Sequence, residues 1–151
     1  MTSLALRRDD QLSADALKMI GESEEELASL YPPEVRYAFS PDELLDAEVR
    51  FLTAYTDHEV VGCGGVAICD GYAELKRIFV TMSARNRGFA MQIVCGLEEI
   101  ARKEGMKVMR LETGLASPDA LALYRKLGYF EIGPFGSYVE NGSSVFMERT
   151  L

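Results

Sequence analysis

Hydrophobic positions along the chain change period several times, and each change marks a new element. "SLALRR" near the start alternates as a short strand does. "QLSADALKMIGESEEELASLY" places Leu12, Ala16, Leu17, Ile20, Leu27 and Leu30 at helical spacing. Gly21 divides that helix in two, with Ser23 and Glu26 in capping-box positions, and "YPPE" ends it. "SPDELLD" predicts a short helix with Ser40 as N-cap, Pro41 at the first helical position and Glu43 two residues on. The period then drops to two. "VRFLTAYT", "VVGCGGVAIC" and "YAELKRIFV" are strands, the first two joined by the polar turn "DHE". "GFAMQIVCGLEEIARKEG" returns to helical spacing, with Ala90, Ile93, Val94, Leu97, Ile100 and Ala101 on one face and Gly105 as its stop. "KVMRLET" is a strand, "SPDALALYRKLG" a helix, and "YFEI" and "SSVFMERTL" closing strands around the turn-rich "GPFGSYVENG".

The order is strand, helices, three strands, helix, strand, helix, two strands. Hairpin neighbours combined with a strand–helix–strand crossover predict an α/β fold: a mixed sheet of about six to seven strands with helices on both faces. At 151 residues and 48% hydrophobic, residues 1–151 form a single domain with a proper core. No apolar run approaches the roughly 20 residues that cross a bilayer, and "MTSLALRRDD", with no long apolar stretch after a basic start, does not read as a secretory signal. Net charge is −8, which argues against a nucleic-acid partner and agrees, weakly, with a cationic small substrate. Cys63, Cys69 and Cys95 form no CxxC pair and read as reduced core thiols of a cytoplasmic protein. The single histidine, His58, falls in the "DHE" turn as a solvated residue, so neither a histidine metal site nor a Ser-His-Asp triad is supported, and no metal is expected.

"RNRGFA", residues 85–90, joins a strand to a helix start. The first N–H groups of a helix lack intrahelical partners, and the dipole adds positive potential there. Gly88 lets a phosphate approach the backbone, Ala90 keeps the first turn slim, and Arg85 and Arg87 can add charge-assisted bonds. The stretch has the form of a pyrophosphate cradle. It is neither a P-loop nor GxGxxG, and by itself an ordinary helix start with surface arginines fits it too.

With its surroundings, "ELKRIFV", "RNRGFAMQIV", "LET" and "SPDALALYRKLGYFEIGPF" in that order, the chain resembles the GNAT superfamily of acetyl-CoA-dependent N-acetyltransferases, and within it a bacterial subgroup of small enzymes. The resemblance implies a GNAT fold in which Glu74 to Val80 splays from a parallel partner, Lys107 to Thr113. Acetyl-CoA, the implied cosubstrate, would thread that opening. The backbone of Phe79 and Val80 would meet the pantetheine and the acetyl carbonyl, and Arg85, Asn86, Arg87, Gly88, Phe89 and Ala90 would hold the pyrophosphate. Ser117 stands where the family often has a cofactor-binding asparagine. Tyr124 matches the family tyrosine beside the thioester sulfur and would be the acid toward the leaving thiolate; as one of the stripe Ala120, Leu123, Tyr124 and Leu127 it also reads as plain core. Glu74 is the first candidate base and Glu112 the second; Glu74 also reads as an anchor for the substrate ammonium, or as a strand residue paired with Lys76 or Arg77. Glu112, Tyr138 and Arg36 are candidate substrate contacts. The implied activity is direct acetyl transfer to the primary amine of a small molecule, with a homodimer as the expected assembly. Acetylation of proteins or peptides, or a non-catalytic CoA-binding module, are the alternatives.

Overall fold

A computed structural model describes residues 3–33 and 49–151. The "SPDELLD" helix and Arg36 lie outside the described residues. Seven strands form one sheet: β1 (Ala5–Asp9), β2 (Val49–Thr56), β3 (Glu59–Ile68), β4 (Ala73–Val80), β5 (Val108–Gly114), β6 (Phe130–Ile132) and β7 (Ser144–Thr150), in the order β1-β2-β3-β4-β5-β7-β6. Three helices complete the described chain: α1 (Ala14–Leu30), α2 (Phe89–Lys103) and α3 (Pro118–Lys126), with a 3₁₀ turn at Met82–Ala84. This is the mixed sheet the order of elements predicts, with β4–β5 as its parallel pair.

Two hydrophobic clusters separate the faces. On one, Ala16, Met19 and Ile20 of α1 pack on Phe51, Tyr55, Cys63 and Phe79. On the other, Ile93, Val94 and Leu97 of α2 and Leu121 and Tyr124 of α3 pack on Leu52, Val66, Leu75 and Leu111. Each buried aliphatic side chain contributes roughly 1.5–3 kcal/mol, so the stripe on α2 is enough to fix that helix to the sheet. Gly64 lets it come close: a Cβ there would sit 2.8 Å from Ile93 Cγ2 and 2.7 Å from Ile78 Cδ1.

Three expectations need correction. Gly21 does not divide α1, which runs unbroken from Ala14 to Leu30; its N-cap is Ser13, whose Oγ accepts the Ala16 N–H. Gly in a helix interior costs about 1 kcal/mol, less than the burial of Ala16, Met19 and Ile20 returns. Ser23 and Glu26 are therefore mid-helix residues rather than a cap. The apolar face is also turned from the expected one, since Met19 is buried while Leu12, Leu17 and Leu30 are exposed. Finally, Cys63 is a core thiol, Cys69 is half-buried and Cys95 is exposed. His58 is an exposed turn residue with positive φ, as is Asp57, the geometry of a tight hairpin.

β4 and β5 pair only at Ala73↔Met109 and Glu74↔Arg110. Beyond those pairs the strands diverge. Arg77 marks the divergence: its φ is +58°, and the β3–β4 register slips opposite it, between Cys63 and Gly65. Such a bulge bends a strand and breaks its ladder. The opening it leaves is the floor of the site.

Candidate active site

One cavity of about 670 Å³ follows the opening from the loop before α2, past the diverging strands, to the C-terminal end of α1. At its first end Asn86 and Gly88 both have positive φ, +66° and +78°, so the loop turns sharply into α2. Gly88 is the N-cap and contributes no side-chain bond to the first-turn N–H groups, and that turn carries no acidic residue. A Cβ at Gly88 would meet nothing within 4 Å. The helix start is therefore open to an anion, with its dipole unopposed. Phe89 is buried beneath it and Ala90 lines the wall.

The two arginines of the loop are not alike. Arg87 is exposed. Arg85 turns back toward the protein: its Nε donates to the Val80 carbonyl at 2.8 Å, its guanidinium pairs with Glu26 of α1, and it lies over the Phe79 ring at 5.5 Å. Phe79 and Val80 themselves are buried in the wall of the opening. Arg77 likewise reaches α1 and pairs with Glu24. Its side chain is 2% exposed, and its Nε and Nη2 are the buried side-chain polar atoms without partners among the described residues. Glu24 and Glu26 thus tie α1 to β4 and the anion loop. Their "SEEE" run is not the charged helix start that local pattern predicts.

Tyr124 of α3 lies in the middle of the cavity wall. Its ring packs edge-on against Tyr129 at 5.6 Å between centroids. Its hydroxyl makes no hydrogen bond among the described residues and is not one of the buried unpartnered atoms, so it opens on the cavity. Burial, and secondarily the Glu112 carboxylate, raises its pKa and keeps the phenol protonated.

At the far end, Glu74 and Glu112 face the cavity from the two diverging strands. Glu74 is buried. Its Oε2 accepts the Tyr138 hydroxyl at 2.5 Å and pairs with the Lys76 ammonium at 2.8 Å, while Lys76 also donates to the Tyr138 oxygen at 2.6 Å. Burial and the neighbouring Glu74 push the Tyr138 phenol well above its ordinary range. Glu112 Oε2 accepts the Ser144 hydroxyl at 2.6 Å, and desolvation raises the Glu112 pKa. Behind this cluster the Phe135 ring packs edge-on against Tyr138 and Phe146, which are tilted against each other. Over it, Tyr31 of α1 packs on Gly114, where a Cβ would collide with its hydroxyl, and hydrogen-bonds Ser117 at 2.9 Å. Ser117 is the N-cap of α3 but makes no side-chain cap bond; its hydroxyl is joined to that of Tyr31 instead.

The sequence-predicted residues therefore gather on one cavity, save Arg87, which is exposed and does not line it, and Arg36, which lies outside the described residues. Ser144 and Tyr31 were missed, and their partners are distant in sequence; the pairing of Glu74 with Lys76 is one of the readings the sequence offered. The "GSY" and "GSS" turns were the only hints at the Tyr138 and Ser144 corner.

The Acetyltransferase (GNAT) family matches residues 16–129. The chain belongs to the GNAT acetyltransferases. Over 153 residues, covering 100% of both chains, it is 36% identical to an "IAA acetyltransferase" of Azospirillum brasilense. It is 30% identical over 149 residues to the N-acetyltransferase YsnE of Bacillus subtilis, covering 97% of this chain and 99% of that one. The PaiA N-acetyltransferase of Thermoplasma acidophilum, solved with coenzyme A, shares the fold with a TM-score of 0.75 at 22% identity, covering 99% of each chain. The diverging strands and the open helix start are thus features of an acetyltransferase. Among the described residues no helix is long and apolar enough to cross a membrane, and no group of three or more His, Cys, Asp or Glu residues could hold a metal ion.

Proposed function

We propose that this GNAT acetyltransferase moves the acetyl group of acetyl-CoA to a primary amine of a small molecule, by direct attack within a ternary complex. The observation that carries the reading is the Tyr124 hydroxyl, unbonded and open on a cavity that joins an uncapped helix start to two carboxylates. A tyrosine serving only as core would turn its hydroxyl to a partner or be replaced by an apolar ring.

The residues fit acetyl-CoA. Gly88 and the first-turn N–H groups of α2 would receive the pyrophosphate, with Arg87 free to swing onto it and Asn86 shaping the turn. Arg85 would act by bracing the loop through Val80 and Glu26. The strand edge at Phe79 and Val80, unpaired with β5, would bond the pantetheine and polarise the acetyl carbonyl. Tyr124 would donate its proton to the departing sulfur. Ser117, already joined to Tyr31, would border the cofactor rather than hold it.

Direct attack is favoured over an acetyl-cysteine step. Burial raises all three thiols, Cys63 to about 12, and none lines the cavity. A small acceptor is favoured because Tyr31 closes over Gly114 and Ser117, where a peptide would need an open groove. The carboxylates suit a cationic amine. The reading places the enzyme in the cytoplasm, where free thiols persist, as a homodimer joined through sheet edges, one of which exposes Phe130 of β6.

The test is calorimetric titration with acetyl-CoA, followed by free-thiol release against a panel of amines, with IAA included for the Azospirillum relative. Binding with amine-dependent release supports the reading. Binding without release from any amine favours a protein acceptor or a non-catalytic module. Absence of binding overturns it.

A further inference from the structure

We propose that Glu112, rather than Glu74, takes the proton from the attacking amine, while Glu74, Lys76 and Tyr138 form a fixed cluster that positions the acceptor. This rests on the acetyl-transfer reading above. The two carboxylates face one cavity from diverging strands, and each leaves its Oε1 open to it, since neither oxygen is bonded or among the buried unpartnered atoms. They differ at Oε2. Glu74 Oε2 carries an ammonium at 2.8 Å and a phenol at 2.5 Å. Two donors, one of them charged, therefore already hold that oxygen, beside a Lys76 side chain that is 9% exposed. Glu112 Oε2 carries only the neutral Ser144 hydroxyl at 2.6 Å. Glu112 is the carboxylate of the two that is less engaged by donors.

The proton balance closes with one base and one acid. Glu112 takes one proton from the ammonium and later gives it to solvent. The freed nitrogen pair forms the N–C bond, and the C–S bond breaks with its electrons leaving on sulfur. Tyr124 protonates that sulfur and is restored by the second proton leaving the nitrogen. The product is the amide and free thiol. Tyr124 and Glu112 are close enough that the carboxylate raises the phenol's pKa, which suits an acid and a base acting on one reacting centre.

Several charged or titratable groups face Glu112. Glu74 and Lys76 approach from β4, Tyr124 from α3 and Tyr138 from the turn before β7; α1 brings Glu26, paired with Arg85, and Tyr31, bonded to Ser117. Desolvation is the largest influence on Glu112 and raises its pKa, Glu74 raises it further, and Ser144 and Lys76 lower it. The base must be ionised to act. The acidic limb of kcat/KM therefore lies above the ordinary carboxylate range.

The experiment compares wild type with E112Q, E74Q and S144A. Acetyl-CoA affinity comes from calorimetry, kcat/KM from thiol release across pH, and Tm from melting. E112Q should lose about 10²- to 10⁴-fold in kcat, keep its acetyl-CoA affinity within about twofold and lose the acidic limb. E74Q should keep the limb, raise the amine KM and melt lower, because it breaks the pair with Lys76. S144A removes a bond that favours the ionised carboxylate, so its limb should move to higher pH; this variant decides the matter even if E112Q fails to fold. An E112Q enzyme with its rate and limb intact, an E74Q enzyme that alone loses the limb, or an unmoved limb in S144A would each overturn the assignment. Should wild type bind acetyl-CoA yet release no thiol with any amine, the transfer reading itself fails and this one with it.

Discussion

The two ends of the cavity are built on different principles. The end proposed to take the pyrophosphate is a local structure: the turn at Asn86 and Gly88, both with positive φ, and the first backbone N–H groups of α2. The end proposed to take the acceptor is assembled from α1, β4, β5, α3 and the segment leading into β7, through side chains paired across the chain. Tyr138 and Glu74 are 64 positions apart, and Ser144 and Glu112 are 32 apart. Substitutions at the first end should act on cofactor binding with the fold intact. At the second end, chemistry and stability are entangled.

The largest effect should come from Gly88→Glu. It sets a carboxylate where the pyrophosphate would lie and loses acetyl-CoA affinity by more than about 100-fold. Because a Cβ at Gly88 meets nothing, the structural cost is confined to the positive φ, about 1–2 kcal/mol. Gly88→Ala carries that backbone cost without the charge. Calorimetry on the pair separates electrostatics from backbone, and equal losses in both would refute an anion site there.

Tyr124→Phe comes next and probes the junction of the two ends. Its hydroxyl has no partner to lose, so Tm should hold within a few degrees while kcat falls about 10²-fold and acetyl-CoA affinity stays put. Unchanged turnover would return Tyr124 to the core.

That contrast also explains what was legible in the sequence. The order of elements, α2 and the glycine at its start were readable because each is encoded within one run of residues: period two, period 3.6, or a glycine at a helix start. The unbroken α1 was not, because Gly21 weakens a helix locally while the burial of Met19 and Ile20 against the sheet decides the outcome. The Ser23–Glu26 run was read as a charged helix start, yet Glu24 and Glu26 meet Arg77 and Arg85, 53 and 59 positions away. Glu74 was the favoured base by family likeness; its pairing with Lys76 was among the sequence readings, but its bond to Tyr138 could not be seen until β4 and the turn before β7 were brought together.

The Arg77–Glu24 pair sharpens the comparison from the stability side. Arg77 is almost wholly buried, while the Glu24 side chain is 41% exposed. Glu24→Ala leaves a buried guanidinium without its counter-charge and should lower stability by about 2 kcal/mol, the value for a fully buried pair being discounted because water still reaches the glutamate. Denaturant melts check this. A loss under about 0.5 kcal/mol would mean that water already solvates Arg77.

The smallest effect asked of stability is the most informative about Glu112. Its folded-state pKa is raised, so the folded protein binds a proton more readily than the unfolded chain does. Ionised Glu112 therefore costs stability at pH values above its folded pKa. As pH falls through that value the cost disappears, and it is absent in both states below the unfolded value. Glu112→Gln removes the charge while keeping an acceptor for the Ser144 hydroxyl. It should melt slightly above wild type at neutral pH, with the gap closing in acid. Glu74→Gln, whose charge is matched by Lys76, should melt below wild type at neutral pH. Opposite signs at two carboxylates of one cavity would separate a residue held against its own stability for chemistry from one held for structure; the same sign at both would leave the two strands with equivalent roles and remove the basis for choosing between them.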